Sequence, residues 1–270
     1  MKTLSKIYMA LVLMFLYVPI FVLIVFSFNE TKSRSVFSGF TLDWYIKLFR
    51  NEVIISSLMN TIIIAVIASI AATVLGTLAA IGINSMRKVP KAVVMNITNM
   101  PIVNPEIVTG VSLMLLFVFF AARMNLEFGF VTLVIAHITF DVPYVILNVM
   151  PKFRQMDPNL FEAAQDLGCT PSRAFFAVEL PEIVPGIVSG LMMSFTLSLD
   201  DFVISHFVSS PDFQTLPLYV YNQTAHNVKF SMYALCALIV VLILVVLLAV
   251  NFAGSFRTAR ARRREGGVRA

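Results

Sequence analysis

Long apolar runs alternate with short polar connections along almost the whole chain. An α-helix needs about 20 apolar residues to cross the hydrocarbon core of a bilayer, which is roughly 30 Å thick, and the sequence offers several runs of that length. The runs predict spanning helices near residues 7–28, 55–83, 92–121, 129–150, 185–208 and 231–253. The pattern therefore predicts an all-α membrane protein with six transmembrane helices and both ends on the same side.

The composition agrees with this prediction. Apolar residues make up 59% of the chain and charged residues only 13%, a balance that ordinary soluble domains do not show. The first run follows Lys2 and Lys6, but it is longer than a signal-peptide core and lacks a cleavage site of small residues. We interpret it as a retained helix. The two cysteines support neither a disulfide framework nor a zinc site.

The distribution of basic residues predicts the orientation. Of the 20 Lys and Arg residues, 14 lie at the two ends and in the connections 84–91 and 151–184, all on one side of the predicted bundle. Because cytoplasmic loops are enriched in Lys and Arg, we expect both termini and the long 151–184 loop in the cytoplasm. The net charge of +5 follows from this topology and gives no reason to expect nucleic-acid binding.

Small residues and prolines mark individual spans. In the second span small residues recur every four positions from Ala68 to Ala80, and the fifth span carries a GxxxG arrangement at Gly186. Small residues on one face let helix backbones approach closely. The third span contains Pro101 and Pro105, which favour a kink or a break. Such a break lines a cavity in some membrane proteins and is a plain structural kink in others.

Most of the polar residues lie in the 151–184 loop, where helix signals follow one another. Asp157 precedes a proline and can cap a helix that runs to Leu167, and Gly168 can end it. Thr170 and the proline after it can start a second helix, which we expect Pro181 to limit. The order of signals predicts a short helix-turn-helix on the cytoplasmic face.

This loop resembles the EAA loop of ABC-importer permeases, with Val178 where the family more often has Ile. The residues that carry the resemblance are Glu162, Ala163, Ala164, Gly168, Val178, Leu180 and Pro181. Four residue types recur there at fixed spacing over about twenty positions. The resemblance implies the type I ABC importer permease fold.

In that family the loop is a coupling helix that sits in a cleft of a separate ATP-binding subunit. Glu162 would then pair with a basic group of the partner, Ala163 and Ala164 would allow close docking, and Gly168 would allow the sharp turn. No GxxxxGKS/T phosphate loop occurs in the chain. ATP and Mg are therefore expected on the partner ATPase, and no cofactor or metal on this chain.

Two acidic residues lie at similar depth in predicted spans. With a rise of 1.5 Å per residue, Glu106 and Asp200 lie about 21 Å and about 22 Å from the cytoplasmic ends of their spans. Charged side chains inside a membrane face the bundle interior and mark a pathway or a partner. Clustered carboxylates suit a cation with several ammonium groups. On a helix Asp201 points about 100° away from Asp200, so we expect one to bind substrate and the other to pair internally or cap a helix.

Asp141 and Trp44 have structural as well as functional interpretations. Asp141 lies just before Pro143, and we expect it to satisfy backbone groups that the proline leaves free. Trp44 lies in an amphipathic segment on the outer side, where it is an interfacial anchor or an aromatic face for an alkylammonium group. The three histidines show no metal-ligand spacing, and we expect structural roles for them.

A narrower resemblance involves residues 137–140, 194–205 and 215–219, which are similar to the spermidine/putrescine permease family, specifically its second membrane subunit. The similarity extends from the first span to the sixth. It implies a bacterial inner-membrane complex with a homologous permease subunit, two copies of an ATP-binding subunit and an external polyamine-binding protein.

The same resemblance implies the substrate site. In the family, acidic positions of the third and fifth spans and a tryptophan of the first outer loop are implicated in polyamine uptake. The matching residues of this chain are Trp44, Glu106, Asp200 and Asp201. Glu106 stands where the relatives have Asp.

These expectations define three parts and leave rivals open. We expect a first helix and outer segment in 1–54, a five-helix permease core with the coupling loop in 55–253, and a basic tail in 254–270. The coupling loop is shared by permeases for amino acids, thiamine or sulfate. An ion-coupled transporter or channel would use the carboxylates as ion sites without needing the Glu162 loop. A membrane enzyme would need a nucleophile or metal cluster, and the sequence offers neither.

Overall fold

The computed structural model describes residues 2–30, 36–124, 127–157, 159–226, 231–241 and 244, and these residues are mostly helical. The helices are α1 (Lys2–Phe26), α2 (Asp43–Phe49), α3 (Glu52–Asn84), α4 (Lys88–Val103), α5 (Glu106–Met124), α6 (Phe130–Gln155), α7 (Asn159–Asp166), α8 (Pro171–Ala174), α9 (Leu180–Asp200), α10 (Val203–Val208), α11 (Leu216–His226) and α12 (Ser231–Val241). A π-helical turn, Phe175–Glu179, joins α8 to α9. Strand pairing among the described residues is limited to two isolated bridges, Asn29 with Phe40 and Ser210 with Phe213.

Five helical segments of the described chain are long and apolar enough to cross a membrane. They are Leu4–Phe26, Glu52–Asn84, Glu106–Arg123, Phe130–Gln155 and Pro171–Asp200. The prediction of an all-α membrane protein is confirmed. The sixth predicted span, 231–253, lies in large part outside the described residues, and its described part is α12 with residue 244.

The third predicted span, 92–121, consists of two helices. α4 ends at Val103, Asn104 is extended with ψ at 140°, and α5 begins at Glu106. The cause is Pro105, which lacks an N–H and disfavours a helical conformation of the residue before it. The predicted break is therefore confirmed at Pro105.

The fifth predicted span, 185–208, is also interrupted, so the prediction of one continuous helix there is wrong. α9 ends at Asp200, and Asp201 is extended with ψ at 121°. The chain turns because the Asp201 carboxylate accepts hydrogen bonds from the backbone N–H groups of Ile204 and Ser205, in the first turn of α10. A second helix, α10, therefore starts inside the predicted span 185–208.

Pro181 does not end the second helix of the 151–184 loop, contrary to the prediction. A single helical segment runs from Pro171 to Asp200, and the π-helical turn ends at Glu179, two residues before Pro181. A π turn shifts the backbone hydrogen-bond register by one residue. The shift lies beside a ring nitrogen that cannot donate, so the helix passes Pro181.

The chain divides into two compact units: the terminal unit, residues 1–52 and 223–270, and the central unit, residues 53–222. In the central unit α3 and α9 pack on α6. A Cβ atom on Gly76 of α3 would lie 2.7 Å from Cβ of Val145, and one on Gly190 of α9 would lie 3.2 Å from its Cα. Both are closer than ordinary contacts, so the prediction that small residues bring these helices together is confirmed.

A second cluster of the central unit joins α5, α6 and α10. Its buried members include Leu113, Phe117, Leu133, Ala136, Ile204 and Val208. Gly110 of α5 lies so close to α10 that a Cβ atom there would be 2.6 Å from the Phe207 ring. This packing holds the start of α10 beside α5 and α6.

The terminal unit contains a long apolar helix and a small folded segment. Most apolar side chains of α1 are exposed, for example Phe15 at 83%, as suits contact with lipid. After the helix, Phe28 stacks on Phe40 and Tyr45 with ring centroids 5.2 and 5.1 Å apart. Asn29 is fully buried, and its side-chain NH₂ donates to the Val36 carbonyl at 2.9 Å.

Candidate functional site

A cleft of about 240 Å³ opens in the central unit where two helices are interrupted. Three of the predicted substrate residues, Glu106, Asp200 and Asp201, line it together with apolar and aromatic side chains that include Phe140 and Tyr144. Neither lysine nor arginine is among its lining residues in the described part of the chain. The cleft is therefore acidic and partly aromatic.

The two helix breaks explain where the acidic side chains stand. Glu106 is the first residue of α5, directly after the break at Pro105, and a carboxylate is favourable at a helix N-terminus. Asp200 is the last residue of α9, where the negative end of the helix dipole opposes a carboxylate. Both side chains belong to exposed residues. A cation in the cleft would relieve the unfavourable placement of Asp200.

The structure separates the roles of the two adjacent aspartates. The Oδ2 atom of Asp201 accepts from the backbone N–H and the hydroxyl of Ser205, both at 2.8 Å, and Oδ1 accepts from the backbone N–H of Ile204 at 3.1 Å. The Asp201 side chain is only 7% exposed. Asp201 thus caps α10, while Asp200 is the more exposed of the two.

Two buried polar residues of α6, His137 and Asp141, contact the chain where α9 passes into α10, residues 198–205. The sequence predicted a role at this place for neither of them. Nε2 of His137 lies 3.2 Å from the Ser205 hydroxyl and 3.6 Å from Oδ2 of Asp201. Asp141 accepts a hydrogen bond from the Ser198 hydroxyl at 2.8 Å, whereas the sequence suggested a role for it beside Pro143. A usable signal was the four-residue spacing of 137 and 141 on one helix and of 194 and 198 on another.

Trp44 belongs to the terminal unit, and its contacts there are local. The indole N–H donates to the Asn29 carbonyl at 2.8 Å. The ammonium group of Lys47 lies 4.9 Å from the ring centroid, a distance at which a cation is attracted by the ring face. The indole therefore already engages a cation of its own helix.

The segment 157–170 resembles the family's coupling loop, and we call it the coupling segment for that reason. Its described residues form the predicted helix and the predicted turn at Gly168. Oδ1 of Asp157 accepts from the backbone N–H of Asn159 at 3.0 Å at the start of α7. At the other end Gly168 has a φ of 87°. Its N–H donates to the Gln165 carbonyl at 2.8 Å, and the N–H of Cys169 donates to the Ala164 carbonyl at 3.1 Å. These two bonds form a Schellman motif, which needs the left-handed conformation that glycine adopts readily.

The coupling segment presents its side chains outward. α7 buries none of its residues, and Glu162, Ala163 and Gly168 are exposed. Leu167 at the end of the helix is 87% exposed. Ala164 is half-buried. A short helix that exposes charged, small and apolar side chains is suited to contact another protein surface.

Comparisons with known proteins identify the family. Residues 72–258 match the family described as binding-protein-dependent transport system inner membrane component. The chain is 39% identical over 229 residues to the putrescine transport system permease protein PotI of Escherichia coli strain K12, covering 83% of this chain and 81% of the relative. It is 33% identical over 242 residues to the spermidine/putrescine transport system permease protein PotC of the same strain, covering 90% of each chain.

A solved structure supports the fold. The crystal structure of a bacterial ABC transporter involved in the import of the acidic polysaccharide alginate aligns with a TM-score of 0.74 and 17% identity, covering 93% of each chain. At that identity the likeness concerns the fold alone. Together with the family match, it makes the all-helical architecture that of an ABC importer permease, a membrane subunit that carries no cofactor of its own. The chain therefore belongs to the binding-protein-dependent transport system inner membrane components, as a multi-pass permease subunit and not an enzyme.

Proposed function

We propose that this permease moves polyamines, spermidine or putrescine, into the cytoplasm as part of an ATP-driven importer. The observation that carries the proposal is the acidic cleft, in which Glu106 and Asp200 stand at two helix breaks with no basic side chain among the described lining residues. The relatives at 39% and 33% identity are named for putrescine and for spermidine/putrescine transport.

The chemistry of the cleft suits a flexible polycation. Each ammonium group can exchange water for a charge-assisted hydrogen bond to a carboxylate, which is stronger than a bond between neutral groups. The methylene segments between ammonium groups can lie against Phe140 and Tyr144, and an aromatic face attracts an alkylammonium group. An anionic solute would meet like charge in this cleft.

The four predicted substrate residues would act in different ways, three at the cleft and Trp44 separately in the terminal unit. Glu106 and Asp200 would contact the cation directly, because both are exposed at the cleft. Asp201 would add its negative charge from the cap of α10. Trp44 would offer its aromatic ring to an alkylammonium group on the outer side, a role for which its contact with Lys47 gives the chemical precedent.

We also propose that the coupling segment docks into a separate ATP-binding subunit, which holds ATP and Mg. Glu162 would pair with a basic group of that subunit, Ala163 and Ala164 would permit close approach, and Gly168 would fix the turn. The exposure of α7 and the left-handed conformation of Gly168 support this assignment. Closure of the ATPases would then move the helices through this segment.

The complete assembly would contain this permease in the bilayer, a homologous permease, two copies of the ATP-binding subunit and an external polyamine-binding protein. The family description itself specifies dependence on a binding protein. We propose six spans with both termini in the cytoplasm, because 14 of the 20 Lys and Arg residues lie on that side. The permease core would be 55–253, preceded by the first helix and outer segment in 1–54 and followed by the basic tail in 254–270.

Uptake of labelled spermidine and putrescine into cells that carry the whole transporter tests the proposal. Asp200→Asn and Glu106→Gln each remove one negative charge at nearly constant volume, and Asp212→Asn makes the same change at an exposed residue outside the cleft. We expect the first two to lower uptake at least tenfold at equal membrane abundance, since a lost charge-assisted contact is worth about 1.5 to 3 kcal/mol. Asp212→Asn should leave uptake unchanged.

Two outcomes would contradict the proposal. If the wild-type transporter moves neither polyamine, the substrate assignment fails although the family assignment stands. If Asp200→Asn and Glu106→Gln transport as well as Asp212→Asn, the cleft is not the substrate site. A parallel Glu162→Ala variant should keep ATP hydrolysis while losing uptake, which separates the coupling segment from the cleft.

A further inference from the structure

Residues 198–205 join α9 to α10, and we call them the α9–α10 corner. Buried polar groups of α6 hold this corner in place. His137 and Asp141 are one helical turn apart on the same face of α6, and both are fully buried. Asp141 bonds to Ser198 on one side of Asp200, and His137 contacts Ser205 and Asp201 on the other. Asp200 therefore lies between two points at which the corner is tied to α6.

These hydrogen bonds fix the orientation of the α9–α10 corner in a way that apolar packing does not. A buried carboxylate or imidazole that loses its partner pays a desolvation cost, so rotation of the corner by one residue would leave groups of α6 unpaired. Apolar neighbours accept such slippage at smaller cost, because their contacts have no preferred direction. The bonds thus select one orientation of the last turn of α9.

The hydrogen bonds between His137, Ser205 and Asp201 also assign a proton to one nitrogen of the His137 ring. The Ser205 hydroxyl donates its only proton to Oδ2 of Asp201, so its oxygen is left to accept from His137. Nε2 of His137 therefore carries a proton and donates. His137, Ser205 and Asp201 thus form one buried chain of hydrogen bonds, which ends at the carboxylate that caps α10. We call this chain the relay.

We infer that His137 and Asp141 are positioning residues, which act through Ser205 with Asp201 and through Ser198 to direct the Asp200 carboxylate into the cleft. This inference rests on the proposed function, because it assigns Asp200 a ligand. Neither α6 residue lines the cleft. Their effect on substrate passes through the geometry of the corner.

A matched pair of substitutions isolates the Asp141 contact. Ser198→Thr and Ser198→Val add nearly the same volume at a site that is 2% exposed, but only threonine keeps the hydroxyl that donates to Asp141. In the whole transporter we expect Ser198→Val to raise the KM for polyamine uptake about tenfold relative to Ser198→Thr, with maximal rates per assembled complex within about twofold. A merely structural role would lower the amount of complex or its maximal rate and leave KM alone.

A second readout does not depend on the identity of the substrate. With the two native cysteines Cys169 and Cys236 replaced by serine, an Asp200→Cys variant reports whether position 200 faces the open cleft, through its rate of modification by a small cationic methanethiosulfonate. We expect that rate to fall about tenfold when Ser198→Val is added and to stay within about twofold when Ser198→Thr is added.

The outcomes separate the two proposals. Equal KM values or equal modification rates for the Thr and Val variants overturn the positioning role. Absence of polyamine uptake by the wild type overturns the proposed substrate, while the modification rates still decide the positioning role. If the Ser198 variants do not assemble, Ser205→Ala removes the relay to His137 without adding volume, and it should slow modification of the Asp200→Cys variant. An unchanged rate there overturns the inference.

Discussion

The two ends of the central unit use the same helix pair, α6 with α9, in opposite ways. At one end, which we call the glycine end, the contact depends on a residue without a side chain, since Gly186 lies against the backbone of Asn148 and Val149. At the cleft end it depends on polar side chains, with Asp141 bonded to Ser198 across the interface. One end is specified by shape and the other by hydrogen bonding. The difference shows how close packing at one end of a helix pair can hold the helices while hydrogen bonds at the other end orient an acidic residue, here Asp200.

The largest effect is expected at the glycine end. A Cβ atom on Gly186 would lie 2.9 Å from the Asn148 carbonyl oxygen and 3.2 Å from Cα of Val149, and backbone atoms cannot move aside as a flexible side chain can. We expect Gly186→Ala to destabilise the assembled transporter by about 1 to 3 kcal/mol, as measured by thermal unfolding in detergent.

Gly82 provides the matched control for this substitution. It lies inside α3, and a Cβ atom there would meet nothing within 4 Å. Gly82→Ala should therefore leave stability unchanged or raise it by about 0.5 to 1 kcal/mol, through the better helix propensity of alanine. Equal effects of Gly186→Ala and Gly82→Ala would show that the contact at the glycine end is not specified by shape.

A somewhat smaller effect is expected at the cleft end. Asp201→Ala removes the acceptor for two backbone N–H groups and should cost about 1 to 2 kcal/mol of stability. Asp201→Asn keeps a side-chain oxygen that can cap α10 and should cost less than about 1 kcal/mol. Thermal unfolding of the assembled transporter compares the two variants. If the Asp201→Asn variant is as unstable as the Asp201→Ala variant, the helix cap is not what stabilises the α9–α10 corner.

The general architecture could be predicted from the sequence because its signals are local. Apolar length predicted an all-α membrane protein, and small-residue spacing predicted the approach of α3 and α9 to α6. The break at Pro105 and the turn at Gly168 each follow from the conformational limits of one residue. Such features need no knowledge of the tertiary contacts.

The cleft corner could not be predicted to the same extent, because its conformation depends on long-range partners. The apolar residues after Asp201 favoured a continuous helix, and the competing cap by Asp201 became visible only with its bonds to Ile204 and Ser205. Asp141 was assigned to its nearest proline although its partner, Ser198, lies 57 residues away. Likewise the π turn that carries the helix past Pro181 has no simple sequence signature.

A third prediction concerns Gly168 at the turn of the coupling segment. Glycine is needed there for its backbone conformation and not because a side chain would lack room. A Cβ atom on Gly168 would meet nothing within 4 Å, so the cost of Gly168→Ala arises from its φ of 87° and is about 1 to 2 kcal/mol. We expect reduced uptake per ATP hydrolysed in the assembled transporter. Gly168→Asn, which tolerates the left-handed region better, should be affected less. Equal coupling in both variants would remove the argument from conformation.

The smallest effect is expected at the start of the same segment, where Asp157 accepts from the N–H of Asn159. Loss of an N-terminal cap costs about 1 kcal/mol in proteins, and the site is exposed, so Asp157→Ala should loosen α7 without unfolding the central unit. Amide hydrogen exchange of residues 159–166 in the assembled transporter should be about fivefold faster, since a factor of ten corresponds to about 1.4 kcal/mol. Asp157→Ser keeps an oxygen acceptor and should restore the protection, whereas equal exchange in both variants would mean that docking to the ATP-binding subunit, and not the cap, holds α7 in place.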